Sequence, residues 1–268
     1  MAITLDFTDK VVVVIGGTSG INLGIAESFA KHGAKVAVAS RSQEKVDAAV
    51  TALKSLGAEA QGFAADVRSQ DAINAGLQQV HTEFGEFDVL VSGAAGNFPA
   101  LARDMSVNGF KSVVEIDLLG TFHVLQSAYS YLKKPGASVI NISAPQAFLP
   151  MQAQSHVCSA KAGVDMVTRC LALEWGPIGI RVNSIVPGPI SGTEGMKRLA
   201  PTEQLTQMAK ESVPLKRLGV PQDIGNAAMF LASDMASYIS GTVVAVDGAW
   251  SLAGASQLSN QLAALLQK

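Results

Sequence analysis

Cysteine is scarce in this sequence. Of 268 residues only Cys158 and Cys170 are cysteines. Two cysteines cannot build the disulfide framework of a small secreted protein, and their positions do not match the close spacing of metal-ligand pairs. We therefore expect both thiols to pack in the core of a protein from a reducing compartment, and we expect no metal site.

Long apolar runs and an excess of charge of one sign are also missing. No apolar run reaches the roughly 18 residues that a membrane span needs, and the opening MAITLDFTDK has no basic region before an apolar stretch. The 20 Lys and Arg residues nearly balance 22 Asp and Glu residues, for a formal charge of −2. Nothing electrostatic favours nucleic acid or an anionic membrane. We expect a cytoplasmic protein whose partner is a small molecule.

Segments of strand and helix character alternate along the chain. Strands alternating with helices imply parallel pairing through right-handed crossovers. The sequence thus predicts an α/β fold, a single Rossmann-type domain over 1–268 whose doubly wound parallel sheet carries helices on both faces, with 252–268 as a C-terminal tail. The predicted strands are 10–15, 35–40, 60–65, 88–92, 137–143, 181–186 and 242–246, and the predicted helices are 21–32, 43–56, 69–84, 111–132, 155–175 and 221–232.

A glycine-rich turn joins the first predicted strand to the first predicted helix. Free backbone N–H groups and the helix dipole make such a turn attractive to a pyrophosphate, and glycines let the chain approach it closely. A plain tight turn is the alternative. The residues that we expect to bind a dinucleotide here are Gly16, Thr18, Ser19, Gly20 and Ile21.

The end of the second strand indicates which dinucleotide. Ser40-Arg41-Ser42 stands at about the 20-residue offset where an NAD enzyme places a carboxylate for the ribose 2′-hydroxyl. An arginine between serines suits the 2′-phosphate of NADP instead, although an exposed Arg41 could also be simply solvated. Asp66 and Val67 end the third strand, where they can hold the adenine; a helix cap is the alternative for Asp66.

These motifs, with Ala94-Ala95-Gly96, Ser159-Ala160-Lys161 and Pro187-Gly188, resemble the short-chain dehydrogenases/reductases in order and spacing over about residues 8–250. The resemblance implies an NADP(H)-dependent oxidoreductase. It adds to the expected cofactor site Ala94, Ala95, Gly96, Lys161, Pro187, Gly188 and Ile190.

The resemblance fails at the residues that donate a proton to the substrate in the family. A tyrosine before the helical lysine, a serine before that tyrosine and an asparagine on an earlier helix are replaced here by Val157, Ala144 and Asp117. Only Lys161 remains. Because neither valine nor alanine offers a hydroxyl, ketone reduction through a phenol donor cannot operate. Either the protein is not a catalyst or its chemistry does not need the tyrosine.

Three stretches favour the second alternative. Residues 93–98, residues 187–195 and the tyrosine-free His156–Lys161 look like the 2,4-dienoyl-CoA reductases, particularly the peroxisomal type. That resemblance implies transfer of hydride from NADPH to a conjugated enoyl or dienoyl thioester. Two departures are Asn22, which replaces a glycine of the phosphate turn, and an ending Leu266-Gln267-Lys268 that is no peroxisomal targeting tripeptide.

Lys161 and Asp117 are the candidate catalytic residues. By the resemblance, Lys161 holds the nicotinamide ribose. Asp117 could position a water, pair with Lys161 or donate a proton as a neutral acid; a structural hydrogen bond in a helix kink is the alternative. Candidates of second rank for contacting the thioester are Ser143, Gln146, Ser155 and His156.

Other expectations concern the surroundings of the site. The small and polar segment 191–208 resembles a mobile substrate flap. The helices 111–132 and 155–175 could bury the interface of a homotetramer, as family members often do. Two other functions stay open: a carbonyl reductase that uses Asp117 or water as its acid, and a catalytically silent NADP-binding protein.

Overall fold

A computed structural model describes residues 5–255 of the chain. Its strands are β1 Val11–Ile15, β2 Lys35–Ser40, β3 Ala60–Ala64, β4 Val89–Ser92, β5 Ser138–Ile142, β6 Arg181–Pro187 and β7 Val243–Val246. Its α-helices are α1 Gly20–Ala30, α2 Gln43–Ser55, α3 Gln70–Phe84, α4 Val107–Val114, α5 Gly120–Ala128, α6 Ser155–Trp175, α7 Glu194–Leu199, α8 Glu203–Ser212 and α9 Pro221–Ala232. Within this range no helix combines the length and the apolar character that a bilayer crossing requires.

The seven strands form one parallel sheet in the order β3-β2-β1-β4-β5-β6-β7. β1 lies at the centre, where Val12 is paired with Val36 of β2 on one side and with Val89 of β4 on the other. The chain winds outward from β1 in both directions, so the strand order reverses between β1 and β4. This confirms the predicted doubly wound sheet, and it puts a crevice at the carboxyl ends of β1 and β4.

Alternate residues of β1 serve two separate cores. Val12 and Val14 pack on one face of the sheet with Ile25 of α1 and Ile224 of α9. Val13 and Ile15 pack on the other face in a cluster that holds Leu77 of α3, Leu125 of α5 and Leu171 of α6. Since both faces are covered, the strands read as continuous apolar runs.

The predicted helix 111–132 was wrong in its bounds and its continuity. The helical segment begins at Val107, four residues earlier than predicted, and ends at Ala128. Between α4 and α5 it widens into a π-helical turn at Glu115–Leu119. A hydrogen-bond pattern of this kind follows from packing and leaves no periodicity to read, and such turns are frequent at functional sites.

One further expectation needs correction. Cys158 is half-buried and Cys170 is exposed, because the face of α6 that packs on the sheet is formed by Thr168, Leu171 and Trp175. The segment 191–208 contains helices α7 and the first half of α8. Of the expected tail 252–268, the first four residues belong to the 3-10 turn Trp250–Ala255, and 256–268 lie outside the described residues.

Candidate active site

The crevice beside β1 and β4 holds two adjoining cavities. Both are lined by Asn22, Gly93, Ala95 and Gly96, so they form one continuous depression. We call the smaller one, of about 360 Å³, the cofactor groove. The larger one, of about 550 Å³, is the reaction cavity.

The structure brings nearly all the predicted site residues to this depression. The cofactor groove is lined by Gly16, Thr18, Ser19, Ser40, Arg41, Ser42, Asp66, Val67, Ala94, Ala95 and Gly96. The reaction cavity is lined by Ile21, Ala95, Gly96, Asp117, Lys161, Pro187, Gly188 and Ile190. Gly20 lines neither cavity; it opens α1 with a φ of 56°.

The phosphate turn fits a dinucleotide diphosphate. Gly16 has a φ of 79°, and a Cβ there would stand 2.9 Å from the backbone nitrogen of Ala94. Ser19 occupies the N-cap of α1, but its side chain accepts no hydrogen bond from the helix, and the first turn holds no acidic residue. The free N–H groups of α1 are therefore available to an anion.

Asn22, the residue that departs from the usual glycine, reaches from α1 to the residue that follows β4. Its Nδ2 donates to the carbonyl oxygen of Gly93 at 2.7 Å, and the side chain is largely buried. A Cβ on Gly93 would lie 2.4 Å from this amide, so only glycine at 93 leaves room for it. The extra side chain thus ties the first turn of α1 to the end of β4.

The far end of the cofactor groove carries positive charge. Arg41 is exposed, and it forms no ion pair with any other described residue. Lys45 lies beside it, and its backbone N–H donates to Ser42 Oγ at 3.4 Å, which caps α2. A dianionic phosphate fits such a donor set.

Asp66 is held by a neighbour that the sequence reasoning did not consider. Arg68 donates to both carboxylate oxygens, with Nη2 at 2.6 Å from Oδ2. This hydrogen bond holds the pKa of Asp66 below its usual value. The alternative of a helix cap for Asp66 was wrong, because Ser69 caps α3 by accepting from the backbone of Ala72.

Asp117 and Lys161 form a buried pair in the reaction cavity. Asp117 lies in the π-turn and is 1% exposed, and its Oδ1 accepts from the backbone N–H of Gly96 at 2.7 Å. Lys161, from α6, approaches Oδ2 to 3.5 Å and donates to the carbonyl oxygen of Ile142 at 2.9 Å. The π-turn is anchored by Thr121, whose hydroxyl donates to the carbonyl oxygen of Asp117 at 2.7 Å.

Burial sets the charge of Asp117. Removal from water raises the pKa of this carboxyl above its usual value, against the lowering effects of Lys161 and of the Gly96 N–H. Desolvation disfavours the charged form of an acid, so part of the population holds a proton at higher pH than an exposed aspartate would. The neutral form carries an O–H group, which the carboxylate lacks.

The positions of the usual hydroxyls are apolar in space as well as in sequence. Val157 and Ala144 both line the reaction cavity, and Val157 is 2% exposed. Beyond them the wall is formed by apolar side chains from the segment before α6, from α7 and α8, and from the turn after β7. These are Met151, Met196, Leu205, Ala209 and Trp250.

Comparison with known proteins decides the family. The family model described as "Enoyl-(Acyl carrier protein) reductase" matches residues 16–251. A crystal structure of a short chain dehydrogenase from Bacillus anthracis has a TM-score of 0.80 at 40% identity, covering 90% of this chain and 96% of that one. The chain belongs to the short-chain dehydrogenase/reductase family. This family membership makes it an oxidoreductase.

Two relatives carry more specific names. A peroxisomal 2,4-dienoyl-CoA reductase of Arabidopsis thaliana, producing (3E)-enoyl-CoA, is 45% identical over 89% of this chain and 83% of its own length. A protein of Bacillus subtilis described as a probable 2,4-dienoyl-CoA reductase, producing (2E)-enoyl-CoA, is 38% identical over 89% of this chain and 95% of its own length.

The candidates of second rank separate in space. Ser143 and Gln146 line the reaction cavity of this short-chain dehydrogenase/reductase, and Gln146 Nε2 donates to Oε1 of Gln154 at 2.7 Å. Ser155 lies instead on a different cavity, beyond α6. His156 is buried and lines neither the reaction cavity nor the cofactor groove.

Sequence reasoning missed Asp165. It lies one helical turn beyond Lys161 on α6 and is 4% exposed. Burial raises its pKa, while the hydroxyls of Ser143 and Ser184 lower it. The spacing of four residues from Lys161 was the available signal, because residues at that spacing share a helix face.

Among the described residues no group of three or more His, Cys, Asp or Glu side chains is arranged to hold a metal ion.

Proposed function

We propose that this protein is an NADPH-dependent reductase of conjugated enoyl or dienoyl thioesters, with a 2,4-dienoyl-CoA as its substrate. One observation carries the proposal: the buried Asp117–Lys161 pair faces a largely apolar cavity in which Val157 and Ala144 replace the usual hydroxyl groups. The names of the relatives support the same substrate class.

NADP is the cofactor that the groove fits. The free N-terminus of α1 would hold its diphosphate, Arg41 with Ser40 and Ser42 its 2′-phosphate, and Lys161 its nicotinamide ribose. The missing carboxylate at the end of β2 removes the partner that the 2′-hydroxyl of NAD would need. When bound, the nicotinamide supplies a hydride to the δ-carbon of the dienoyl group.

The protein's own residues stabilise the negative charge that hydride addition produces on the substrate. Hydride addition at the δ-carbon leaves a dienolate whose negative charge concentrates on the thioester oxygen. The ammonium group of Lys161 lies in the cavity wall, where little water screens it, and there it stabilises this charge. No phenol is needed, because the oxygen is not the atom that keeps the proton.

Asp117 completes the reaction by protonating carbon. Its neutral carboxyl gives up the O–H proton, directly or through a water, as a new C–H bond forms on the dienolate, and it is left as a carboxylate beside Lys161. Protonation at the α-carbon gives a (3E)-enoyl thioester, and protonation at the γ-carbon gives a (2E)-enoyl thioester. We propose the (3E) product, which is the one named for the 45% identical relative.

A substrate panel tests the function. NADPH absorbance is followed with 2,4-decadienoyl-CoA, with 2-decenoyl-CoA and with a set of ketones. We expect the dienoyl thioester to be reduced fastest. Ketone turnover without dienoyl turnover would instead establish a carbonyl reductase, and tight NADPH binding without any turnover would establish a silent binding protein.

A double variant makes the same assay more decisive. In the double variant Val157→Tyr, Ala144→Ser the hydroxyls of other family members are restored at the cavity wall. We expect it to gain no dienoyl-CoA reductase activity, since the phenol has no step to perform. A large gain in ketone reduction would show that the natural site is a carbonyl-reducing site that has lost its hydroxyl groups.

We also propose a homotetramer. The outer faces of α5 and α6 expose apolar side chains that a partner subunit would cover. Phe122 is 40% exposed, Met166 is 56% exposed and Leu173 is 81% exposed. Burial of such a patch favours association. Light scattering after size exclusion should give four times the chain mass, and a monomer at micromolar concentration would contradict it.

A further inference from the structure

Two side-chain amides lie in the wall of the reaction cavity and take no part in the reaction steps proposed so far. Gln146 belongs to the 3-10 turn Pro145–Ala147 that follows β5, and Gln154 is the residue immediately before α6. Nε2 of Gln146 donates to Oε1 of Gln154 at 2.7 Å, and both side chains line the cavity. One hydrogen bond thus joins two segments that are separate in the sequence.

The amide of Gln154 has donor capacity to spare. Its Oε1 accepts from Gln146, and its side chain makes no capping hydrogen bond to α6. Nε2 carries two N–H bonds, and it has no hydrogen-bond partner among the described residues. Because Gln154 is 7% exposed, an unused donor here is costly unless a ligand or a water accepts from it.

The amide pair lies beside the two positions where the hydroxyl groups of the family are missing. Gln146 follows Ala144 by two residues, and Gln154 precedes Val157 by three residues, which is close to one helical turn. All four residues line the reaction cavity. The pair therefore bridges the segment that lacks the serine and the segment that lacks the tyrosine.

Most other polar side chains of the cavity are already committed. Asn22 Nδ2 donates to the carbonyl oxygen of Gly93, and the hydroxyl oxygen of Ser143 is enclosed by protein. Three more side chains donate to protein atoms at 2.6–3.0 Å, namely Thr193 to Ile190, Ser212 to Ala209 and Trp250 to Ser212. These donors are not available to a substrate without loss of a bond within the protein.

Asn97 is the main rival as a donor. Its Nδ2 also lacks a partner among the described residues, and it lines the same cavity. Its Oδ1 is buried without a partner as well, so no hydrogen bond fixes the direction of this amide. In Gln154 the bond from Gln146 fixes Oε1, and so it fixes where Nε2 points.

Lys161 does not have an N–H bond left for the substrate oxygen. An ammonium group carries three N–H bonds. One donates to the carbonyl oxygen of Ile142 at 2.9 Å, and a second lies toward Asp117 Oδ2 at 3.5 Å. The proposed function assigns the third to the nicotinamide ribose. The charge of Lys161 thus acts on the dienolate from a distance, and a direct hydrogen bond has to come from another side chain.

We propose that Gln154 is a catalytic residue whose Nε2 donates a hydrogen bond to the thioester carbonyl oxygen, and that Gln146 is the positioning residue that orients this amide. The inference rests on the proposed function. As hydride adds to the δ-carbon, negative charge grows on that oxygen and the N–H···O hydrogen bond strengthens. Both protons stay on the nitrogen of Gln154, so the donor needs no recharging between turnovers.

Removal of the donor is the first test. Gln154→Met keeps the approximate length of the side chain without an N–H bond. We expect kcat/KM for 2,4-decadienoyl-CoA and the single-turnover rate of hydride transfer to fall about 10- to 100-fold, with the Kd for NADPH within about twofold of the wild type. The control is Gln152→Met, in the same loop but exposed and absent from the cavity wall, which should keep the activity of the wild type.

A second substitution covers the case in which methionine disturbs the fold. Gln154→Glu keeps the shape of the side chain and the acceptor for Gln146, but it has no N–H bond. We expect a loss of kcat/KM at least as large as in Gln154→Met. Wild-type activity in a folded Gln154→Glu protein would overturn the proposal.

A modified substrate distinguishes a hydrogen bond to the substrate from a structural role. In the dithioester analogue of the dienoyl-CoA, sulfur replaces the carbonyl oxygen and accepts hydrogen bonds weakly. The loss caused by Gln154→Met should therefore shrink to less than about threefold with the analogue, as in a double-mutant cycle. An equal loss with both substrates would mean that Gln154 only supports the cavity, and the proposal would be wrong.

The same pair of substrates tests Gln146 and Asn97. Gln146→Leu should lower kcat/KM less than Gln154→Met does, because the donor remains but its direction is no longer fixed, and this loss should also shrink with the dithioester. If instead Asn97→Leu shows the loss that depends on the oxygen atom and Gln154→Met does not, Asn97 is the donor and the proposal fails.

The results for the wild type separate this inference from the function on which it rests. If the wild type reduces dienoyl-CoA and Gln154→Met keeps its kcat/KM, the role of Gln154 is refuted and the function stands. If the wild type reduces no dienoyl-CoA, both proposals fail together.

Discussion

Asp66 in the cofactor groove and Asp117 in the reaction cavity are both carboxylates at the same edge of one sheet, yet their surroundings treat them in opposite ways. Asp66 is partly exposed, and hydrogen bonds from Arg68 lower its pKa. Asp117 is buried, and the loss of water raises its pKa despite the nearby Lys161. We therefore expect the charges of the groove to serve recognition, and we expect burial in the cavity to keep Asp117 available as an acid.

Among the substitutions that test this difference, loss of Lys161 should have the largest effect on activity. Lys161→Met removes the one positive charge paired with Asp117 in the cavity, so nothing offsets the dienolate charge. We expect kcat/KM for dienoyl-CoA to fall about 100- to 1,000-fold or more. Steady-state kinetics measure it, with Lys54→Met on the exposed face of α2 as the control. Near-normal kcat/KM in a folded Lys161→Met protein would show that the site lies elsewhere.

Loss of the acid should come next. Asp117→Asn keeps the shape of the side chain and the acceptor for the Gly96 N–H, but it cannot release a proton. We expect kcat to fall about 100-fold, while the Kd for NADPH stays within a factor of about two. Asp117→Ala should do the same. If instead NADPH binding is lost and kcat is kept, Asp117 serves the cofactor and not proton transfer.

The groove responds to a different change. Arg41→Ala should weaken NADPH binding by about 1–3 kcal/mol, the scale of a lost charge-assisted hydrogen bond, and should leave NADH binding nearly unchanged. Fluorescence titration of both cofactors measures the difference. Equal affinity of the wild type for NADPH and NADH would remove the argument from Ser40-Arg41-Ser42.

The smallest effect is on stability, and its sign follows from the raised pKa. Since folded Asp117 holds its proton more tightly than the unfolded chain does, its contribution is fully present below the usual aspartate pKa, near 4. That contribution is lost as pH rises through the folded pKa, by at most about 1.4 kcal/mol per pH unit.

Comparing the wild type with Asp117→Asn isolates this effect. The free energy of unfolding of the wild type should fall relative to the variant as pH rises across that window. Urea unfolding at several pH values gives the difference, and Asp165 cancels because both proteins contain it. A difference that grows in the opposite direction would mean that Asp117 is a stabilised carboxylate.

The sequence predicted the groove better than the cavity, and the reason is physical. β2, α6 and α9 have the predicted bounds, since continuous apolar runs and glycine turns are local signals. The cofactor residues follow the ends of strands, so a correct prediction of the strands also located these residues.

The cavity depends on contacts between distant segments. The π-turn carries Asp117 to Gly96, and Gly120, which follows it, lets the helix approach Val67, where a Cβ would stand 2.6 Å from the valine side chain. The amide of Asn22 against Gly93 and the arginine that holds Asp66 are likewise tertiary contacts. Composition and periodicity do not predict such tertiary contacts.

Transfer of isotope from cofactor to substrate tests the central claim most directly. NADPH deuterated at the transferable position is incubated with 2,4-decadienoyl-CoA in ordinary water, and the product is examined by NMR and mass spectrometry. We expect one deuterium at the δ-carbon and a solvent proton on the α-carbon, in a product that keeps its thioester. Absence of deuterium from the product, or its appearance only on the carbonyl carbon of a ketone substrate, would contradict the account.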